Sequence, residues 1–115
     1  MNKVLIWLDD SRNPFEYDWL IFSPIIDYTE VVWIKNFIDL KKYLKTNSIP
    51  YAICLDYDLD INEEYNGLDC VNYLIECCRI NKDDFPLYNF QSANEYGRDV
   101  MLKRIKDYRN ERKID

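Results

Sequence analysis

The chain has 115 residues, 48% of them apolar and 16% aromatic, which is sufficient for one domain with a hydrophobic core. Its 21 acidic residues outnumber its 15 basic residues, and the net charge of −6 disfavours binding to duplex nucleic acid or to anionic membranes. The sequence contains no histidine, which excludes histidine triads, histidine-bound zinc and imidazole acid–base catalysis by these residues. Its chemistry must therefore depend on carboxylates, hydroxyls, thiols, cations or a bound metal.

The N-terminal segment and the cysteines predict a cytoplasmic protein. The first eight residues contain only five consecutive apolar residues, too few for a signal-peptide core or a membrane span. The cysteines lie in apolar or helical patterns without a CxxC pair: Cys54, Cys70, Cys77 and Cys78. We expect them to be buried or half-buried thiols in a reducing compartment.

The first half of the chain predicts two strands and two helices. The run Val4–Leu8 is continuously apolar and stops at two acidic residues, which is typical of a central parallel strand. Asn13 followed by Pro14 predicts the start of a short helix, with irregular chain after it up to about residue 30. A second strand is predicted at 31–34, and apolar residues at helical spacing continue to about residue 45.

The second half repeats this alternation. A third strand at 51–55 again ends at acidic residues, and a polar loop is predicted at 61–66. Asn66 is positioned to cap a helix that ends near residue 81, and a fourth strand follows at 87–90. Ser92 and Glu95 fit a capping box before the last helix. The residues of that helix predicted to face inward are Met101, Leu102, Ile105 and Tyr108.

Alternating strands and helices predict one α/β domain spanning residues 1–115. We expect a three-layer α/β/α sandwich with a receiver-like, flavodoxin-like parallel sheet of about four strands in the order 2-1-3-4. Ligands of such sheets bind beyond the carboxyl ends of the strands, where the first and third strands meet. The acidic residues that follow these two strands therefore converge on the expected binding position.

Four carboxylates are predicted to meet there: Asp9, Asp10, Asp56 and Asp58. Like charges at about 4 Å repel by about 4 kcal/mol at an intermediate dielectric, so either some are protonated or a cation neutralises them. Donors that are all oxygen favour Mg²⁺ (or Mn²⁺), with Asp9, Asp10 and Asp56 as ligands. The competing interpretation is that these acids are solvated or cap the following helices.

Two further side chains have two interpretations each. Arg12 either binds a phosphate group or balances the charge of Asp9 and Asp10. Ser92 either donates to a phosphoryl group or only caps the last helix.

At several points the sequence resembles the cyclic-phosphate processing receiver domains. The matching stretches, in order, are Trp7-Leu8-Asp9-Asp10-Ser11-Arg12-Asn13-Pro14, Leu55-Asp56-Tyr57-Asp58-Leu59, Gly67-Leu68-Asp69, and Gln91-Ser92-Ala93-Asn94 followed by Gly97-Arg98 and Met101. The resemblance implies a receiver-like fold that acts on cyclic or other nucleotide phosphates in conflicts between bacteria and phages. It also implies an acidic site at Asp9, Asp10, Asp56 and Asp58, with Arg12, Ser92 and Asn94 around it.

The sequence departs from this family at two positions where the family usually has histidine. Tyr57 stands between the two aspartates of the third-strand motif, and Gln91 stands before the serine of the fourth-strand motif. Tyrosine, with an ordinary pKa near 10, is a poor proton shuttle at neutral pH, and glutamine does not titrate. Gln91 retains the ability to hydrogen-bond a phosphate or a base.

Three functional hypotheses follow. The first is metal-assisted hydrolysis of a cyclic nucleotide or cyclic-phosphate end, with Asp56 and Asp58 catalytic, Asp58 as the base, and Arg12, Gln91, Ser92 and Asn94 binding the substrate. The second is a nucleotide-binding module without turnover. The third is a signalling receiver in which Asp56 accepts a phosphoryl group. The sequence does not fix the oligomeric state.

Overall fold

The computed structural model describes residues 2–59 and 64–114, with only the backbone of Ile114, so residues 61–63 of the predicted loop lie outside it. The described residues form these elements in chain order: β1 (Val4–Leu8), a 3-10 helix (Trp19–Phe22), β2 (Glu30–Ile34), α1 (Phe37–Thr46), β3 (Ala52–Leu55), α2 (Gly67–Asn81), β4 (Leu87–Phe90) and α3 (Glu95–Ile114).

The strands form one parallel sheet in the order β2-β1-β3-β4, which confirms the predicted fold class and strand order. β1 lies at the centre, with Leu5 opposite Val31 of β2 and Ala52 of β3. The neighbouring carboxyl ends of β1 and β3 therefore place the acidic residues after them at one edge of the sheet.

The three α-helices pack on the same face of the sheet. Ile6 and Leu8 belong to the core beneath these helices, whereas Leu5 and Trp7 belong to a second core on the opposite face. Right-handed crossovers explain this division. The connection from β1 to β2 runs toward one edge, whereas those after β2 and β3 run toward the other, so they lie on opposite faces.

The opposite face is covered mainly by the segment between β1 and β2, where the helix predicted to begin at Asn13 does not form. The Asn13 side chain accepts a hydrogen bond from the Phe15 amide at 2.9 Å, which closes a tight turn. Tyr17 then adopts a left-handed backbone with φ of 52°, which interrupts helical propagation. Only the 3-10 helix follows, so this outer layer is thin and largely irregular.

The helix predicted after Asn66 is confirmed as α2. The Asn66 side chain accepts from the amides of Leu68 and Asp69, and the Asp69 side chain accepts from the Asn66 amide at 2.8 Å, which completes a capping box. The helix ends at Asn81 and is capped by Lys82, whose φ of 58° is left-handed.

All four cysteines are free; Cys54, Cys70 and Cys78 are buried, and Cys77 is half-buried. Within residues 2–59 and 64–114, none of the helices combines the length and hydrophobicity that crossing a membrane requires.

Candidate functional site

Asp9 forms the floor of the site and is completely buried. Its amide continues the sheet by donating to the Ile34 carbonyl at 3.0 Å. Its Oδ1 accepts from the amides of Ser11 and Arg12 at 3.0 and 2.9 Å. These two N–H donors fix the position of the carboxylate and bend the chain sharply after β1.

Two tryptophans on the face of the sheet away from the three α-helices hold the backbone of this turn. The Trp33 indole N–H donates to the Asp9 carbonyl, and the Trp7 indole N–H donates to the Arg12 carbonyl, both at 2.8 Å. Each hydrogen bond gives a partner to an indole N–H and to a carbonyl oxygen that are partly buried. Neither tryptophan is among the site residues predicted from the sequence; for Trp7 the available signal was its place two residues before Asp9, on the same face of the strand.

Asp56 follows β3 and is also buried, with its Oδ1 accepting from the Tyr57 amide at 2.9 Å. Carboxylate oxygens of Asp9, Asp10 and Asp56 lie within 4.8 Å of one another. Burial, followed by the charge of Asp9, raises the pKa of Asp56 to about 7, although Arg12 and a hydrogen bond from the Ser92 side chain oppose this shift. Arg12 therefore compensates only part of the negative charge of the cluster.

Arg12 lies against this cluster. Its Nη1 is 3.1 Å from Asp9 Oδ2 and 3.8 Å from Asp56 Oδ2. The guanidinium also lies over the Trp19 ring, 5.3 Å from the ring centroid. The ion pairs of Arg12 are thus with Asp9 and Asp56, whereas the sequence had suggested Asp9 and Asp10.

Gln91 extends from the end of β4 across the neighbouring strand β3. Its amide donates to the Leu55 carbonyl at 3.2 Å, and its side-chain Nε2 donates to the Leu8 carbonyl at 2.9 Å. The residue is 6% exposed, and its Oε1 is buried without a hydrogen-bond partner among the described residues. Gln91 therefore presents an unsatisfied acceptor at the carboxyl edge of the sheet.

Ser92 was predicted to cap α3, but in the structure Asn94 caps the helix and Ser92 contacts Asp56. The cap of α3 is Asn94, whose side-chain oxygen accepts from the Gly97 amide at 2.9 Å. Ser92 is buried and accepts from the Asn94 amide at 3.2 Å, while its side chain also hydrogen-bonds to Asp56. Asn94 replaces Ser92 as the cap because helix α3 begins at Glu95, directly after it.

Asp58 lies apart from the group of three carboxylates. It is exposed, and its Oδ2 accepts a hydrogen bond from Asn94 Nδ2 at 3.2 Å. This contact holds Asp58 beside the first turn of α3.

Tyr57 connects the first turns of α2 and α3. Its hydroxyl accepts from the Asn66 side-chain amide at 3.2 Å. Its ring packs so closely on Gly97 that a Cβ added there would lie 2.2 Å from the Tyr57 Cγ. Tyr57 is thus embedded in the packing of the helix ends.

Residues 4–107 match the family model of the cyclic-phosphate processing receiver domain. The chain belongs to this family. The resemblance stated from the sequence motifs is therefore confirmed across most of the chain.

Comparison with solved structures shows the receiver fold of this family member. The chain is similar to a structure described as the MaeR response regulator bound to beryllium trifluoride, with a TM-score of 0.52 and 19% sequence identity. The match covers 83% of this chain and 70% of the MaeR chain. Among curated proteins, none matches the sequence.

The site of this cyclic-phosphate processing receiver domain fits a hard divalent cation. The three grouped donors are all carboxylates, which Mg²⁺ and Mn²⁺ accept, and no imidazole or thiolate is needed. The buried, unpartnered Oε1 of Gln91 adds an acceptor that a coordinated water or a ligand donor would satisfy.

Proposed function

We propose that this domain holds Mg²⁺ or Mn²⁺ at Asp9, Asp10 and Asp56, binds a nucleotide or cyclic phosphate beside the ion, and hydrolyses it. The observation that carries the proposal is the convergence of three carboxylates, with oxygens within 4.8 Å of one another, from two separate segments of the chain. A divalent ion would offset the repulsion of these groups and polarise a phosphate oxygen.

The polar residues that follow β1 and β4 supply contacts of the kind that a phosphate needs. Arg12 offers guanidinium donors, and Ser92 offers a hydroxyl that already hydrogen-bonds to Asp56. Gln91 and Asn94 follow the same strand end and add amide groups. Together they would bind a phosphate oxyanion and part of the attached nucleotide.

In the hydrolytic reading, Asp58 is the base that accepts a proton from the attacking water. Its exposure gives solvent access, and the hydrogen bond from Asn94 holds its carboxylate near the start of α3. Asp56 contributes as the buried carboxylate that faces both Asp9 and Ser92. This division gives two aspartates of one motif different environments and different roles.

A substrate panel tests the proposal. Purified protein with Mg²⁺ or Mn²⁺ is incubated with cyclic mononucleotides, cyclic dinucleotides and RNA with 2′,3′-cyclic ends, and products are separated by chromatography. We expect turnover of at least one class, abolished in Asp56→Asn and unchanged in Asp99→Asn, an exposed aspartate on α3. An intact panel under both metals would refute hydrolysis.

Binding without turnover is the second candidate, and the positions of Tyr57 and Gln91 favour it. Both replace family histidines, and both side chains make hydrogen bonds within the fold, to Asn66 and to Leu8 respectively. Calorimetry with the same panel would then show metal-dependent binding and no product. Phosphorylation of Asp56 by a small phosphodonor, detected by mass spectrometry, would instead indicate a signalling receiver. A cytoplasmic location and a role in phage conflict stay predictions.

A further inference from the structure

The position of Arg12 adds a property to the proposed metal site and rests on that proposed function. Its guanidinium lies 3.1 Å from Asp9 Oδ2 and 3.8 Å from Asp56 Oδ2, so it already contacts two of the three carboxylates that would ligate the ion. The single positive charge of Arg12 leaves the three-carboxylate cluster negative. Its guanidinium also occupies part of the space in which an ion would be coordinated.

The backbone of Arg12 is fixed, while its side chain has a second contact besides the carboxylates. The Arg12 amide donates to Asp9 Oδ1 and its carbonyl accepts from the Trp7 indole, at 2.9 and 2.8 Å. The side chain is 28% exposed, and the guanidinium lies over Trp19. A guanidinium leaving the carboxylates could therefore keep its aromatic contact while its backbone stays in place.

We propose that Arg12 is the resting counter-ion of the carboxylate cluster, and that it gives up Asp9 and Asp56 when a divalent cation binds. Two cations sharing the same carboxylate oxygens repel each other, so the guanidinium and the ion exclude one another from this position. Released from the carboxylates but held near Trp19, the guanidinium becomes available for two parallel hydrogen bonds to a phosphate. Metal binding thus prepares the phosphate site, and the ion binds before the phosphate.

This exchange differs from a purely structural role of Arg12. If Arg12 only supported Asp9, its removal would disorder a ligand and weaken the binding of Mg²⁺. If Arg12 competes with the ion, its removal strengthens binding, because the carboxylates lose their internal cation.

Isothermal titration with Mg²⁺ separates the two roles. We expect Arg12→Met to bind Mg²⁺ about tenfold more tightly than the unaltered chain. Lys106→Met is the matched control, because it removes one positive charge from an exposed position on α3. It should leave the affinity unchanged. Arg12→Gln removes the charge but keeps hydrogen-bonding capacity toward Asp9, and it replaces the methionine variant if that variant fails to fold.

The indole resonance of Trp19, assigned with Trp19→Phe, provides a second readout. Addition of Mg²⁺ should shift it in the unaltered chain and shift it much less in Arg12→Met. Inorganic phosphate, titrated with and without Mg²⁺, should bind only when the metal is present and only when Arg12 is retained.

Equal or weaker Mg²⁺ affinity in both Arg12 variants would overturn the exchange while leaving the metal site standing. Phosphate binding that is independent of Mg²⁺ would overturn the proposed order of binding. Absence of Mg²⁺ and Mn²⁺ binding in every form, including the unaltered chain, would overturn the proposed function together with this inference.

Discussion

Replacing Asp56 by asparagine should stabilise the metal-free protein near neutral pH while removing its response to Mg²⁺. Burial and the charge of Asp9 raise the pKa of Asp56 from 3.8 to about 7. This difference of about three units corresponds to about 4 kcal/mol at 1.36 kcal/mol per unit. Because the Asp56 side chain is only 7% exposed, solvent screens little of this free energy.

The direction of the pH dependence follows from the proton on Asp56, which the folded protein keeps to a higher pH than the unfolded chain does. An acid whose pKa is higher in the folded protein than in the unfolded chain stabilises the fold fully below the unfolded value of 3.8. That stabilisation is lost as the pH rises through about 7, where Asp56 ionises in the folded protein. Asp56→Asn does not ionise and should therefore escape this loss.

Urea unfolding in the presence of a chelator, between about pH 5 and pH 8, measures the effect. The free energy of unfolding of Asp56→Asn minus that of the unaltered chain should rise across this range by a few kcal/mol. Asp99→Asn, at an exposed position, should show a nearly constant difference. Mg²⁺ should then raise the stability of the unaltered chain and of Asp99→Asn, but not that of Asp56→Asn. A pH-independent difference for Asp56→Asn would refute the argument from burial.

Three further substitutions test the contacts that support the site. Gly97→Ala should lower the free energy of unfolding by about 2 kcal/mol, because its Cβ would lie 2.2 Å from the Tyr57 Cγ and 2.5 Å from the Tyr57 Cβ; thermal unfolding measures this, and an unchanged midpoint would contradict the close packing of Tyr57 on Gly97. Asn66→Ala removes the side chain that caps α2 and should cost about 1–2 kcal/mol in urea unfolding, and an unchanged midpoint would contradict the importance of the capping box. Trp33→Phe keeps an aromatic ring but leaves the Asp9 carbonyl without its indole donor; we expect a loss of about 1–3 kcal/mol and weaker Mg²⁺ binding, whereas unchanged calorimetry would show that the turn does not need this contact.

The sequence predicts the part of this protein that depends on simple periodicity. Apolar runs that end at Asp9 and Asp56 identify β1 and β3, and parallel pairing then brings these two acids to the same edge. The capping residue of α2, Asn66, is also visible in the sequence, because it is followed three residues later by an acid at Asp69.

Contacts between distant residues explain what the sequence did not reveal. Ser92 hydrogen-bonds to Asp56, which follows the neighbouring strand, whereas Asn94 caps α3. The hydrogen bond from Trp33 to the Asp9 carbonyl joins residues 24 positions apart, and no local spacing encodes it. The missing helix after Asn13 has a local cause instead: the Asn13 side chain closes a tight turn with the Phe15 amide, and Tyr17 adopts a left-handed backbone.

The thin layer between β1 and β2 has a consequence for how the molecule opens. Trp19 contributes to the core of this layer and lies under the Arg12 guanidinium, yet the only helix in the layer is a single 3-10 turn. Few backbone hydrogen bonds protect such a segment, so its amides should exchange with solvent through local fluctuations while the sheet and the α-helices stay closed. The irregular layer beside Arg12 is thus the part of the protein expected to open most easily. Ligand binding at the carboxylate cluster would appear first as slower deuterium uptake at residues 13–29.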